Sequence, residues 1–112
     1  MSMVKIDSRG AVCLKLGKPT LEDAQKAVGG WIERIATPSL PKTVAAFCDE
    51  EGKLKGLPVN TIATLLLPAN YDDFIVGVVV VCGMTREGDI RAMTDSELEA
   101  VVNEINRIKG GF

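Results

Sequence analysis

The chain has 112 residues, 46% of them hydrophobic and 25% charged, which is enough for one domain with a core of its own. Thirteen Lys and Arg residues against fifteen Asp and Glu residues give a net charge of -2, so we do not expect nucleic acid as a partner. The sequence contains no histidine, which excludes the usual general base, the usual nitrogen ligand of metals and any catalytic pair built on histidine.

Three widely spaced cysteines, Cys13, Cys48 and Cys82, form no C-x-x-C motif, and each lies in an apolar run. They are therefore expected to be small buried hydrophobic residues of a protein in a reducing compartment. The N-terminus lacks the apolar segment of a secretory signal, and the longest apolar run, Phe74 to Gly83, has half the length of a membrane helix. These features predict a cytoplasmic protein that does not enter a membrane.

The first elements in chain order are a β-hairpin and a helix. Apolar residues alternate with polar ones on both sides of the turn-forming stretch Asp7 to Gly10, and these apolar residues are Val4, Ile6, Val12, Leu14 and Leu16. This alternation predicts an opening hairpin. Residues Leu21, Ala24 and Val28 then share one helical face, which predicts a helix over about 20–28 that Gly29-Gly30 can end through a left-handed residue.

Three further strands are predicted, at 31–36, 44–49 and 74–81. Gly52 is expected to supply a positive φ in the turn after the second of them. The stretch after Pro58, residues 59–66, fits a short helix or an extended segment, and we favour the helix. The β-branched run 74–81 predicts a strand covered on both faces and therefore central in its sheet, with Gly77 marking a bulge or a close approach to the backbone.

The last element is a long helix over about 95–109. Thr94 and Glu97 have the spacing of a capping box, in which each side chain satisfies an unpaired backbone N–H. The apolar stripe that follows consists of Leu98, Val101, Val102, Ile105 and Ile108. Because hairpins outnumber β-α-β units, the order of elements predicts a single α+β domain over residues 1–112. We expect a largely antiparallel sheet with an N-terminal β-hairpin, and two or three helices, including the long C-terminal one, packed on one face.

Several polar and aromatic residues are candidates for a functional role. The acids of two turns, Asp49 to Glu51 and Asp72 to Asp73, would offer oxygen ligands to Mg²⁺ or Ca²⁺ if the turns were neighbours, but their spacing lacks the alternation of a calcium loop. We interpret them as solvated turn residues and predict neither a metal site nor a cofactor. Trp31 is expected to cover one end of the core, and Asn60 to cap the helix that follows it, in preference to contacting a ligand.

Four stretches in this order and spacing resemble the DUF3846 family, and these are Val28 to Glu33, Asp49 to Asn60, Asp73 to Gly83 and Met93 to Glu97. The family comprises small domains of bacteria, plasmids and phages whose function is undefined. The likeness covers roughly residues 4–105. It implies a compact α+β fold and a mobile-element or host-modulating context, and it brings no catalytic residues.

Three functional hypotheses follow. We favour a non-enzymatic interaction or accessory module of a mobile element or phage, acting as a homodimer or with a host protein partner. The second hypothesis is a protein that binds a small molecule or nucleotide-like ligand through Asp49, Lys53, Asn60 and the backbone at Gly77. The third is a metal-assisted hydrolase whose carboxylates would be Asp49, Glu51, Asp72 and Asp73.

Overall fold

A computed structural model describes residues 3–14 and 18–111. The strands are β1 (Met3–Asp7), β2 (Gly10–Leu14), β3 (Ile32–Ile35), β4 (Val44–Asp49), β5 (Val79–Met84) and β6 (Ile90–Arg91). The helices are α1 (Leu21–Val28), α2 (Thr61–Thr64) and α3 (Asp95–Gly110). This confirms the α+β fold with its N-terminal hairpin and long C-terminal helix. Leu16, the last apolar residue of the predicted hairpin, lies outside the described residues.

The six strands form one sheet with the order β2-β1-β5-β4-β3, and β6 pairs with the end of β5. Each of these pairings is antiparallel. Strand β5 lies between β1 and β4, so the prediction that the β-branched run supplies a central strand is confirmed. Its predicted bounds were wrong, because β5 begins at Val79 and residues 74–78 run against the segment that precedes α2, with a single bridge between Val76 and Val59.

The helices cover both faces of the sheet, and the expectation that they lie on one face was wrong. On one face α2 and α3 bury a core that includes Ile6, Val79, Val81, Ile62 and Ile105. On the other face α1 packs Ala24 and Val28 against Met3, Phe47 and Val80. Neighbouring residues of β4 and β5 therefore point into different cores. Because β4 and β5 are buried on both faces, each of these two strands has an unbroken apolar run instead of alternating apolar and polar residues.

The helix ends follow their local sequence. Gly29 ends α1 at φ +92°, so it is the first residue of Gly29-Gly30 that adopts the predicted left-handed conformation, and Thr20 begins the helix with a capping box to Asp23 that was not predicted. The predicted capping box of α3, formed by Thr94 and Glu97, is confirmed. Helix α2 is a single turn that Asn60 caps by accepting a hydrogen bond from the backbone N–H of Ala63. Among the described residues there is no helix with the length and apolar content needed to cross a membrane.

Two further local predictions were wrong. Trp31 does not cover the core, since 67% of its surface is exposed. In the turn after β4 the positive φ belongs to Gly56, at +68°, and not to Gly52. Gly52 is required for a different reason, because a Cβ atom at this position would lie 2.9 Å from Cγ2 of Val76.

The cysteines Cys48 and Cys82 are free and buried. Burial raises the pKa of the Cys82 thiol to about 12. Burial, with the nearby carboxylates of Glu33 and Asp49, raises the pKa of the Cys48 thiol to about 11. Both side chains are therefore protonated at neutral pH and pack as small hydrophobic groups.

Candidate functional site

The predicted site residues lie in two segments that pack against each other beside the sheet. The first is the long turn between β4 and α2, residues 50–60, and the second is the extended segment 71–78 that leads into β5. The Asn60 N–H donates to the Ile75 carbonyl over 2.8 Å, and the Gly77 N–H donates to the Pro58 carbonyl over the same distance. These bonds fix the two segments relative to each other.

The Asn60 side chain links the two segments to β1 and to the start of α2. Its side chain is 1% exposed, and Nδ2 donates to the carbonyls of Ile6 in β1, over 3.1 Å, and of Gly77, over 2.9 Å. Its Oδ1 accepts from the Ala63 N–H over 3.0 Å. Both amide protons are thus used within the protein, which explains Asn60 as a structural residue and agrees with its predicted capping role.

Gly77 permits a close approach between the two segments, as the sequence predicted. Its φ is +75°, and a Cβ atom here would lie 2.7 Å from Cδ1 of Leu57. A side chain at this position is therefore disfavoured both by the backbone conformation and by the lack of space.

We predict that Gly77→Ala lowers the free energy of unfolding by about 2 kcal/mol, from the left-handed backbone and the displacement of Leu57. Gly56→Ala is the matched control, since Gly56 also has a positive φ but a Cβ atom there would meet nothing within 4 Å. Urea denaturation of both variants measures the difference. Equal losses in the two variants would contradict the role given to the contact with Leu57.

Asp49 is held by an ion pair at the end of β4. Its side chain is 2% exposed, and Oδ2 lies 2.7 Å from Nζ of Lys55. Its Oδ1 accepts from the Glu51 N–H over 2.9 Å. The hydrogen bond from Lys55 is the main reason that the pKa of Asp49 lies below its usual range. Lys55 also donates to the Gly29 carbonyl over 3.2 Å, so that this pair joins the turn to the end of α1.

Lys53 lies on the outer side of the same turn and contacts the second segment. Its Nζ is 2.5 Å from Oδ1 of Asp73 and 4.5 Å from the centre of the Phe74 ring. The hydrogen bond from Lys53, followed by the one from the Phe74 N–H, lowers the pKa of Asp73. Both side chains of the ion pair are about half exposed, with values of 53% for Lys53 and 50% for Asp73, so water screens their attraction.

The four predicted residues do not converge on one cavity. Asp49 and Lys53 line a pocket of about 210 Å³ beside β3. Asn60 and Gly77 line another of about 200 Å³, between the first hairpin turn and the Leu57 segment. Ligand binding by Asp49, Lys53, Asn60 and Gly77 stays a prediction, and the hydrogen bonds of Asn60 already account for that residue.

Two of the four carboxylates considered for a metal site are engaged in ion pairs. Asp49 pairs with Lys55 and Asp73 with Lys53. Over residues 3–14 and 18–111, no three Asp, Glu, Cys or His side chains lie close enough together to hold a metal ion. The metal-assisted hydrolase stays a prediction.

A family model described as a domain of unknown function (DUF3846) matches residues 1–106. The chain belongs to the DUF3846 family. Searches of the curated proteins and of the solved structures returned no match. The resemblance seen in the sequence is therefore confirmed.

A groove runs along β3 in this DUF3846 domain, between the strand and residues 71–76. It consists of the pocket of about 210 Å³ and an adjoining one of about 80 Å³, and the two share Glu33, Asp73 and Ile75. We call these two pockets together the edge groove. Three side chains at their rim are apolar or aromatic and exposed, with Leu54 at 87%, Tyr71 at 56% and Phe74 at 46%.

These rim residues were not identified as candidates from the sequence, although one signal exists for Leu54. It is an apolar residue between two lysines in a charged turn, a position where a side chain has no core to enter. Tyr71 and Phe74 have no comparable local signal.

Proposed function

We propose that this chain is a non-enzymatic protein-interaction module that binds its partner along the outer edge of β3 and in the edge groove. The observation that carries the proposal is the apolar rim of Leu54, Tyr71 and Phe74 beside a strand edge that pairs with no other strand among the described residues. Exposed aromatic groups next to an unpaired edge are typical of sites where a partner adds a strand to a sheet.

The backbone of β3 is arranged for such an addition. The Glu50 N–H donates to the Trp31 carbonyl over 2.9 Å, and β3 pairs with β4 in the register Ile32 to Asp49. In an antiparallel ladder, backbone groups point alternately towards and away from the neighbour. The N–H and C=O groups of Ile32 and Arg34 therefore point away from β4, in the direction from which a partner strand would pair with them.

The alternative of a small-molecule binder has weaker support. The pocket lined by Asn60 and Gly77 has a volume of about 200 Å³, below the range of roughly 300–1,000 Å³ that is usual for ligand sites. The Asn60 amide and the Gly77 N–H are engaged within the protein. We also propose that the module works in the cytoplasm of a cell that carries a phage or plasmid, which rests on its free thiols and on the family resemblance.

The proposal is tested by panning a library of random displayed peptides on the folded protein and measuring the recovered peptides against two variants. Arg34→Pro removes the outward N–H without touching a hydrogen bond to β4, as proline allows at a sheet edge. Arg34→Ala removes the same side chain and keeps that N–H. We expect recovered peptides to bind the wild type and Arg34→Ala and to lose about tenfold or more in affinity for Arg34→Pro.

Circular dichroism and thermal melting of both variants establish that they are folded. Recovery of no binding peptide, or of peptides that bind Arg34→Pro as well as Arg34→Ala, would contradict the proposed function.

A further inference from the structure

Resting on the proposed function, we propose that the β3 edge binds an extended, positively charged segment of another protein, with lysine or arginine at alternate positions. Three features favour this partner. They are the charges of the edge groove, the direction of the β3 side chains, and the repulsion that pairing β3 with a second copy would produce.

The edge groove carries more negative than positive charge. Its lining includes four carboxylates, of Glu33, Asp49, Glu50 and Asp73, and two cations, Lys53 and Arg34. Asp49 and Asp73 already have a lysine partner each. In the described part of the chain, Glu33 and Glu50 have no basic group within 4 Å, and both are exposed. A cationic side chain entering the groove would therefore meet two carboxylates that lack a partner.

The direction of the β3 side chains limits where those cations lie on the bound strand. Glu33 shares its face of the sheet with Ile35, which packs in the core under α2 and α3. Ile32 and Arg34 point to the opposite face, where Ile32 packs against the core under α1. Side chains alternate along an added strand in the same way. Cations on the Glu33 face would be attracted, whereas cations on the Arg34 face would be repelled, so the bound segment should alternate cationic and apolar or polar residues.

A second copy of this chain is a poorer occupant of the same edge. Two copies paired antiparallel about a two-fold axis at the middle of β3 would set Glu33 against Glu33, or Arg34 against Arg34. Like charges directly opposite each other on neighbouring strands are destabilising. The sequence of β3 thus disfavours its own copy and leaves the edge for a segment of complementary charge.

The experiment measures the binding of three short synthetic peptides that alternate valine with lysine, serine or glutamate. We expect the lysine peptide to bind the wild type most tightly, followed by the serine peptide and then the glutamate peptide. Glu33→Gln combined with Glu50→Gln should weaken binding of the lysine peptide about fivefold, as expected for two surface ion pairs. Raising the salt from about 0.1 M to about 1 M shortens the Debye length from about 10 to about 3 Å and should reduce the preference for lysine.

The matched control is Glu22→Gln combined with Glu99→Gln, which makes the same change in net charge at exposed acids outside the edge groove. It should leave the affinity for the lysine peptide within about twofold, since distant surface charges are screened. Amide hydrogen exchange adds a direct readout. The N–H groups of Ile32 and Arg34 should exchange more slowly in the complex, because a bound strand would accept hydrogen bonds from them.

Equal binding of the three peptides, or better binding of the serine or glutamate peptide, would overturn the inference of a cationic partner and leave the strand-binding function intact. If none of the three peptides binds while library peptides bind the edge, the inference of a cationic partner is likewise overturned and the strand-binding function stands. Sedimentation that shows a dimer of the wild type, lost in Arg34→Pro and kept in Arg34→Ala, would identify a second copy as the occupant and would also overturn the inference.

Discussion

Asn60→Ala is expected to lower the free energy of unfolding by about 4 kcal/mol, a loss large enough to unfold a marginally stable domain. The substitution removes the donor for two carbonyls, of Ile6 and Gly77, and the acceptor for the Ala63 N–H. A buried polar group that loses its hydrogen-bond partner costs about 1–3 kcal/mol. Because Asn60 is 1% exposed, water has little access to replace the lost bonds.

Two variants distinguish the capping bond of Asn60 from its two bonds to the carbonyls of Ile6 and Gly77. Thr20→Ala removes the exposed cap of α1 and is expected to cost about 1 kcal/mol. Asn60→Asp keeps the oxygen that caps α2 but places a second oxygen against the carbonyls of Ile6 and Gly77, so it should be destabilising by more than Thr20→Ala. Urea denaturation gives the three free energies. If Asn60→Ala costs no more than Thr20→Ala, Asn60 is only a helix cap.

The contrast between these bonds shows which part of the fold was predictable. The capping bond joins Asn60 to a residue three positions later, and its sequence signal is local. The bond to Ile6 spans 54 residues, and the bond to Gly77 spans 17. No spacing in the sequence marks them, because they exist only once β1 and the segment before β5 have been brought together. The structural role of Asn60 was therefore predicted in part.

The start of β5 was misplaced for a related reason. Residues 74–81 are almost uniformly β-branched, so their composition has no internal boundary. The boundary is set by Gly77, whose positive φ turns the chain out of the sheet, and by the bridge between Val76 and Val59. The sequence marked Gly77 as a special position, but it did not show that the strand begins after it.

The apolar run of β4 is a sequence signal that helices cover both faces of the sheet. All six residues of β4 are buried, including the consecutive residues Val44 to Cys48. An unbroken apolar run in a strand indicates cover on both faces, and β4 carries the same signal as β5. The edge groove, by contrast, combines β3 with two segments that follow it by about twenty and forty residues, and no local pattern predicts that they meet.

Glu97 forms the second interaction for which a large effect is expected. Its carboxylate accepts from Nη1 and Nη2 of Arg91, over 2.7 and 2.9 Å, from the Thr94 N–H over 2.9 Å, and from the hydroxyl of Thr43. The side chain is 10% exposed. The carboxylate thus joins the start of α3 to β6, which lies just before it in the sequence, and to Thr43 before β4, which lies 54 residues away.

These hydrogen bonds make the stability of the fold depend on pH. The hydrogen bonds from Arg91, with those from Thr43 and Thr94, lower the pKa of Glu97 from its ordinary 4.5 to about 2, against the opposing effect of burial. A carboxyl group with a lower pKa in the folded state stabilises the fold above its unfolded pKa. This contribution is complete above pH 4.5 and is lost as the pH falls from there through about 2. Its size is about 3 kcal/mol, at 1.36 kcal/mol for each pH unit.

Glu97→Gln is therefore expected to lower the free energy of unfolding by about 3 kcal/mol at neutral pH, since the amide is uncharged and turns an N–H group towards Arg91 or Thr43. The difference from the wild type should shrink as the pH falls from about 4.5 towards about 2, where the wild-type carboxyl is itself protonated. Glu99→Gln, which removes an exposed charge from the same helix, is the control and should stay within about 0.5 kcal/mol of the wild type. Denaturation at a series of pH values measures both variants. A constant difference between Glu97→Gln and the wild type across this range would show that Glu97 acts by packing and not by its charge.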